Sequence, residues 1–442
     1  MVGPDYKKPV FNFPEFWHAK PAAKTEVAAK NPEKWWESFH DKQLDDLVQQ
    51  ALKNNENLKT AAERVVEARG LRESTASTLF PQVKAEGQAQ RGNEGFQTFN
   101  GNLKLYQADF DASYEIDLFG GNRRAVQAQN ANLRASIADY QDVTISLVAE
   151  VAREYVTLRE LQQQLVLARE TAKVQEQLLD LTRSKNKAGI VSTLDVSQAE
   201  MLYKTTTAAI PDLERQIAAS ANRLSVLLGA APGKVDPLVK ETAAIPVPDK
   251  LVAIDSPVDV INRRPDVKRA EQELIAATAM HGVAISDLYP KISISALLGV
   301  QNASLSSLAL KSHGKVWSIG TNASETILDF GKIQGEINAA DSRQQQAFHQ
   351  YRQTVIVALD DVDTALVNVD KENQRRLLLL DAVKSAEHAL AMARVRYQQG
   401  LSNFNDVLQS EQQLYTIQND LILSEGTSSS DVIALYKELG LE

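Results

Sequence analysis

Two stretches of this chain, residues 121–187 and 332–398, run without a single proline, and nothing else in the sequence limits the fold so severely. Within the first, Leu133, Ile137, Tyr140, Leu147, Val151, Tyr155, Leu158 and Leu165 recur at spacings of three, four and seven among Arg, Glu and Gln, the stripe of a helix that packs along one side. At ~1.5 Å per residue each run would form a helix roughly 100 Å long, far beyond the diameter of an ordinary globular domain. Such a rod implies a distance to be spanned.

The two runs are copies of each other, set in copied surroundings. Leu58-Lys59-Thr60-Ala61 matches Val267-Lys268-Arg269-Ala270 and Phe80-Pro81 matches Tyr289-Pro290, both at an offset of 209. Phe119-Gly120 matches Phe330-Gly331, Tyr140 matches Tyr351, Gly189 matches Gly400, Asp195 matches Asp406 and Leu228-Gly229 matches Leu439-Gly440, all at 211. The shift of two falls inside a β-hairpin. Each half therefore reads as helix, hairpin, long helix, turn, helix: residues 44–229 with the hairpin at 81–118, and 258–442 with the hairpin at 290–329. The first helix is predicted from Leu44 to about Thr78, ended by Pro81. The short helices before and after each long one together match its length, so they meet near mid-height. Two proline-rich segments, 1–43 (Pro4, Pro9, Pro14, Pro21, Pro32) and 230–257 (Pro232, Pro237, Pro246, Pro248, Pro257), cannot be helical and are predicted to wrap that level as a belt.

The hairpins switch to a period of two. Val83, Ala85, Gly87 and Ala89 alternate with Gln82, Lys84, Glu86, Gln88 and Gln90, and Gly92-Asn93-Glu94-Gly95 reads as the loop. On the return, Tyr106, Ala108, Phe110, Ala112, Tyr114, Ile116 and Leu118 form one face, and Gln107, Asp109, Asp111, Ser113, Glu115 and Asp117 the other. In the second hairpin Ile292, Ile294, Ala296, Leu298 and Val300 face one way, as do Trp317, Ile319 and Ala323 on the return. Two readings are open: half-buried hairpins of a soluble sheet, or strands of a membrane barrel, each needing ~9–11 residues. Four strands cannot close a barrel alone and an open edge is untenable in lipid, so the second reading needs several copies. Two copies would give eight strands filled by their own side chains, whereas three give twelve and leave a passage. Asp109, Asp111, Glu115 and Asp117 would line it.

Other classes are excluded by what is missing. A formal charge of −9 with no strongly basic run argues against a nucleic-acid partner. The apolar runs 296–300 and 355–359 fall far short of the ~18 residues of a spanning helix. There is no cysteine, and His18, His40, His281, His313, His349 and His388 are scattered with no pair at ligand spacing. No phosphate-binding loop, nucleophile elbow or dinucleotide fingerprint occurs, so neither enzymatic activity nor a cofactor is expected. No signal peptide opens the chain, so any targeting segment is expected to have been removed. The two turns carry a shared pattern: a glycine closes the long helix (Gly189, Gly400), a hydrophobic residue follows (Ile190, Leu401), and an N-cap (Ser192, Asn403) stands three before an aspartate (Asp195, Asp406). On spacing alone this is a well-capped helical hairpin.

Six stretches, in order, are spread along nearly the whole chain: Val2-Gly-Pro-Asp-Tyr-Lys-Lys-Pro9, Trp35-Trp-Glu-Ser-Phe39, Tyr114-Glu-Ile-Asp-Leu-Phe-Gly120, Leu227-Leu-Gly-Ala-Ala-Pro-Gly233, Arg263-Arg-Pro-Asp-Val-Lys-Arg-Ala-Glu271 and Leu435-Tyr-Lys-Glu-Leu-Gly440. In these the chain resembles the TolC-type outer-membrane factors, specifically the OprM-like lipoprotein branch of tripartite efflux systems. The resemblance implies a mixed α and β membrane protein of two structural repeats, a homotrimer whose 12-strand β-barrel in outer-membrane lipid continues as an α-helical periplasmic tunnel. It implies an exit duct for drugs or other small molecules, working with a periplasmic adaptor and an inner-membrane pump of the RND type. It places Gly189, Ile190, Ser192, Gly400, Leu401 and Asn403 at the periplasmic tip where the adaptor docks, and makes Asp195, Asn405, Asp406 and Gln409 the aperture candidates. Three departures stand out. Met1 occupies the place of the branch's lipidated cysteine, as expected of a truncated or recombinant start of a natively lipid-anchored protein. Glu325-Thr326 replaces Trp-Pro, and Gly426-Thr-Ser-Ser-Ser430 predicts a weak point in the last helix. The alternatives are a type I secretion duct and a non-conducting coiled-coil scaffold.

Overall fold

The computed structural model describes residues 1–11, 14–19, 34–92, 103–248, 255–305 and 314–441. The elements are α1 (Lys42–Asn54), α2 (Glu56–Ala76), β1 (Gln82–Gly92), β2 (Leu103–Ile116), α3 (Gly121–Lys187), α4 (Thr193–Leu227), α5 (Asp236–Lys240), α6 (Pro257–Arg263), α7 (Pro265–Ser286), β3 (Lys291–Asn302), β4 (Lys315–Ser324), α8 (Lys332–Gln398) and α9 (Phe404–Glu438). Both long helices are unbroken, with 67 residues each. The chain divides into two compact units. One comprises Met1–Phe11, Glu63–Ala138 and Lys268–Thr354, and the other the remaining described residues.

The first unit holds an antiparallel sheet of order β1-β2-β3-β4. Gln82 pairs with Ser113 in the first hairpin and Lys291 with Ser324 in the second, positions that correspond at the two repeat offsets. The two hairpins therefore share one register. Cross-strand rows such as Val83–Ala112–Ala296–Ile319 and Ala85–Phe110–Leu298–Trp317 form the apolar face. Yet Val83, Phe110, Leu298, Trp317 and Ile319 are 61–74% exposed. No described residue covers that face, which overturns the reading of a half-buried soluble sheet. Beside the sheet, α3 and α7 meet through Ala128, Ala131, Ala276 and Ala279, small side chains that allow close approach. The N-terminal residues are strapped to the same place. Val2 N–H donates to the Phe119 carbonyl at 2.9 Å, and the buried Arg124 guanidinium donates to the carbonyls of Val2 and Gly3 and to the Asp5 carboxylate. Gly3 takes a φ of +82° against the Gly282 backbone, where no Cβ fits.

In the second unit, Trp35, Trp36, Phe39, Leu44, Val48, the middle of α3 and the C-terminal ends of α4 and α9 share one core. Trp35–Phe39 forms a short 3₁₀ helix, so the first segment is not free of helix as expected, because the three aromatic rings are driven into this core. The connector likewise carries α5. Its carbonyls are held by α3: Arg159, fully buried, donates to Glu241 O at 2.6 Å, Gln162 to Leu238 O at 2.8 Å and Gln163 to Ala243 O at 2.8 Å. The loop residues 93–95, His313, Pro21, Pro32 and connector residues 249–254 lie outside the described residues.

The helix predicted from Leu44 to about Thr78 is two helices. Asn55 is extended (ψ 126°) and its side chain accepts from Leu58 N, capping α2, while donating to Leu227 O at 2.9 Å at the end of α4. The second half does the same with arginine: Arg264 separates α6 from α7 and donates to Glu438 O at the end of α9, beside Arg263 donating to Leu439 O. Unsatisfied carbonyls at a helix end need such donors. The weak point expected at Gly426–Ser430 does not appear either, since α9 passes through it unbroken. Its small residues are a packing face: a Cβ on Gly426 would run into the Glu160 carboxylate of α3. Burial at that contact pushes the Glu160 carboxyl up to about 7.

Candidate functional site

The two turns after the long helices have matching geometry. Gly189 (φ +75°) donates to Asn186 O and Ile190 N–H reaches back to Lys185 O at 2.9 Å; Gly400 (φ +72°) donates to Tyr397 O and Leu401 N–H reaches Arg396 O at 2.9 Å. This pair of bonds requires the left-handed backbone that glycine adopts at little cost. A Cβ on either glycine would meet nothing within 4 Å, so the turns face open space. Ile190 and Leu401 are 71% and 66% exposed there. Behind them a small core of Leu179, Ala199, Phe404 and Leu408, backed by Tyr397 against Phe404, holds the turns together, with Lys185 Nζ 4.6 Å from the Tyr397 ring centroid. Sequence reading missed Phe404 and Tyr397, although an aromatic residue one step inside the N-cap was a visible signal.

The candidates differ in how free they are. Ser192 and Asp195 close a reciprocal capping box, Asp195 N–H donating to Ser192 Oγ and Ser192 N–H to Asp195 Oδ2 at 2.9 Å. Asn403 accepts from Asp406 N–H at 3.1 Å. Asn405, Asp406 and Gln409 are exposed side by side on the first turns of α9. The structure thus ties Asp195 into a cap and leaves the other three available.

The polar face of the sheet sorts its acids in the same way. Asp111 lies opposite Lys84, and Glu115 is exposed. Asp109 is buried, packed against Gly299 and bonded by Gln107. Asp117 lies past the end of β2, where it accepts from Asn122 N and Arg123 N and pairs with Arg123 at 3.0 Å, capping α3. Four acids in alternation do not make four equal charges. Among the described residues no helix is long and apolar enough to cross a membrane, and no cluster of three His, Cys, Asp or Glu could hold a metal ion.

Comparison with known proteins adds the following. The family model described as outer membrane efflux protein matches residues 47–230 and 257–441, one segment per repeat. The chain is 29% identical over 458 residues to the toluene efflux pump outer membrane protein TtgC of Pseudomonas putida, covering 99% of this chain and 91% of the relative. It is 28% identical over 450 residues to the probable outer membrane lipoprotein SilC of Salmonella typhimurium, covering 99% and 95%. Its structure is similar to that of the outer-membrane channel OprN, with a TM-score of 0.92 at 29% identity over 100% of this chain and 99% of the other.

Proposed function

The chain belongs to the outer membrane efflux protein family, and from that premise we propose how this exit duct is assembled and coupled. It is an efflux channel of the bacterial outer membrane whose helices extend into the periplasm. Three copies supply four strands each to one barrel, and the duct is fed by a periplasmic adaptor and an inner-membrane pump of the RND type. The observation that carries the shared barrel is the four-stranded sheet, whose two outer edges are unpaired and whose apolar face is uncovered among the described residues, needs that lipid and neighbouring copies meet. Light scattering of the detergent-solubilised protein should return three times the 48.7 kDa chain. A monodisperse monomer, soluble without detergent, would sink the reading. Similarity to a protein named as an outer membrane lipoprotein supports a lipid anchor on the native form.

The adaptor docks on the turns at Gly189 and Gly400, where Ile190 and Leu401 form an apolar tip with no cover among the described residues; Asn405, Asp406 and Gln409 narrow the aperture, and Asp195 supports it by holding the cap. Gly400→Glu tests this. The left-handed backbone makes the substitution cost on the order of 1 kcal/mol, small for so large a helical assembly. The expected outcome is normal trimer abundance with loss of drug resistance and of adaptor crosslinking in cells carrying the matching pump. Resistance that survives, or that falls only with trimer abundance, makes the turn a structural cap alone.

A further inference from the structure

The outward face of the sheet is not apolar from end to end, and the charges it carries are all of one sign. The strand registers set the residues of that face in cross-strand rows. The four rows nearest the helices, from Ile116–Ile292–Ala323 to Phe110–Leu298–Trp317, hold no charged residue. The next row, Gly87–Ala108–Val300–Lys315, brings the first. After Ala89–Tyr106–Asn302 comes Arg91 opposite Lys104. All three cations are exposed, and among the described residues of the sheet no carboxylate stands on this face. Glu86, Asp109, Asp111 and Glu115 all lie on the other. In a chain of net charge −9, a face with three bases and no acid is a marked separation.

The height of the three cations is as informative as their sign. The strand ends at Gln82, Ile116, Lys291 and Ser324 lead to the helices, so with the helices in the periplasm Arg91, Lys104 and Lys315 lie toward the extracellular end. Along β2, Ala108 in the row of Lys315 stands eight residues from Ile116, and Lys104 stands twelve. At ~3.3 Å per residue and a tilt of ~40°, these rows lie roughly 20 and 30 Å above the first. The apolar band of a membrane barrel is ~25 Å tall, so the cations bracket its outer boundary. Long basic side chains just inside such a boundary extend their charged heads outward to it. Tyr106, between the two levels, is the amphipathic ring expected there. Arg91 and Lys104 are also directly opposed on adjacent strands, and like charges so placed repel. Among the described residues none of the three cations forms an ion pair, so the repulsion is not relieved within the chain. An anion held between them relieves it, and a phosphate does so well because guanidinium and ammonium donors give it charge-assisted hydrogen bonds from two sides.

We propose that the outward rim of Arg91, Lys104 and Lys315 binds the phosphate groups of a phosphorylated glycolipid of the outer leaflet. The phosphates meet Arg91 and Lys104, Lys315 reaches the same layer from below, and the acyl chains lie on the apolar rows beneath. A soluble anion satisfies the cations but leaves those rows bare. A zwitterionic lipid covers the rows but brings a cation with every phosphate. The inference rests on the reading of the sheet as part of an outer-membrane barrel, and it adds which lipid the barrel selects and with which residues.

Each basic residue at an anionic lipid surface is worth on the order of fivefold in binding, and three together on the order of a hundredfold. Native mass spectrometry of the full-chain trimer in neutral detergent, titrated with diphosphoryl lipid A, reads this directly. The wild type should bind that lipid on the order of a hundredfold more tightly than the same lipid stripped of both phosphates, a comparison that needs no variant. Arg91→Gln with Lys104→Gln and Lys315→Gln should lose the preference, and Arg91→Gln alone should lose roughly fivefold of it. Arg91→Lys with Lys104→Arg keeps both charges and should keep most of the binding. Equal binding of the two lipids by the wild type, or equal preference in the wild type and an assembled triple variant, overturns the rim. Displacement of bound lipid A by millimolar inorganic phosphate would make this a site for free anions and overturn the lipid assignment. A protein of monomer mass that needs no detergent removes the barrel reading itself, whereas a trimer indifferent to lipid phosphate leaves the barrel standing and removes only this inference.

Discussion

Arg264 offers the sharpest test of how the repeat is held together. Its side chain is 8% exposed and serves five acceptors: both oxygens of Asp266 at 3.0 and 2.8 Å, the carbonyl and carboxylate of Glu438 at 2.9 and 2.8 Å, and the Asp361 carboxylate at 3.5 Å. Arg264→Met keeps the stem and removes the charge, taking the guanidinium away from the Asp266, Glu438 and Asp361 carboxylates and the donor away from the Glu438 carbonyl. Breaking a buried pair from one side costs about 3–5 kcal/mol, and because Asp266 and Glu438 are about a fifth exposed and can rehydrate, about 3 kcal/mol is expected. The counterpart in the first half, Asn55→Ala, removes a neutral bond to Leu227 O and a cap on Leu58 N, worth about 1–2 kcal/mol together. Urea unfolding of the purified trimer, followed by loss of helical circular dichroism, should therefore rank Arg264→Met well below Asn55→Ala and both below wild type. Arg264→Lys should recover little, since an ammonium cannot make the paired bonds to Asp266. If Arg264→Met lies within about 0.5 kcal/mol of wild type, or if the asparagine variant costs as much, the clamp argument fails.

Two further outcomes are expected. Burial raises the Glu160 carboxyl from 4.5 to about 7, so the folded state holds its proton longer than the unfolded state, and stability falls as pH rises between those values. Glu160→Gln should remove that fall and be the more stable form above pH 7, by about 1–2 kcal/mol once the ~3 kcal/mol of the full shift is discounted for partial exposure; identical pH profiles for the two proteins would count against it. In planar bilayers under a salt gradient, Asp111→Asn with Glu115→Gln should move the reversal potential toward zero, since acids exposed to a confined passage enrich cations. Asp109→Asn with Asp117→Asn should move it much less, their carboxylates being engaged by Gln107 and by Asn122 and Arg123, and equal shifts would show that these bonds do not mask the charge.

What could be read from the sequence was whatever one segment states by itself. Glycines bracket both long helices, Gly120 and Gly331 just before them and Gly189 and Gly400 just after them, and they could be read because breaking a helix is a local event. The repeat could be read because it compares a segment with its copy. What could not be read depends on partners far away in the chain. Asn55 looks like any polar residue in a helix until the end of α4 arrives to take its hydrogen bond. Asp117 continues a perfect alternation, yet the strand stops one residue earlier because α3 begins just beyond and its amides claim the carboxylate. Arg124 carried no signal at all, since apart from Gln127 its partners, the carbonyls of Val2 and Gly3 and the Asp5 carboxylate, are more than a hundred positions away.

The apparent flaws divide along the same line. Gly426 lowers helix propensity locally, and Glu160 explains it within the chain, so the local rule lost to packing. Gly70, Phe330 and the bare row of Phe110, Leu298 and Trp317 are flaws of the same kind, but nothing described in the chain resolves them. A sequence in which so many other signals agree is not expected to tolerate unrelieved faults of this kind. Those faults are not scattered: they lie on the sheet edges, on the outward face between them and on the helices flanking them, all within one compact unit. The remedy must therefore come from outside the chain and in two chemistries, hydrocarbon for the outward rows and another β-edge for the ends. A bilayer supplies the first, and only a protein strand of matching register supplies the second.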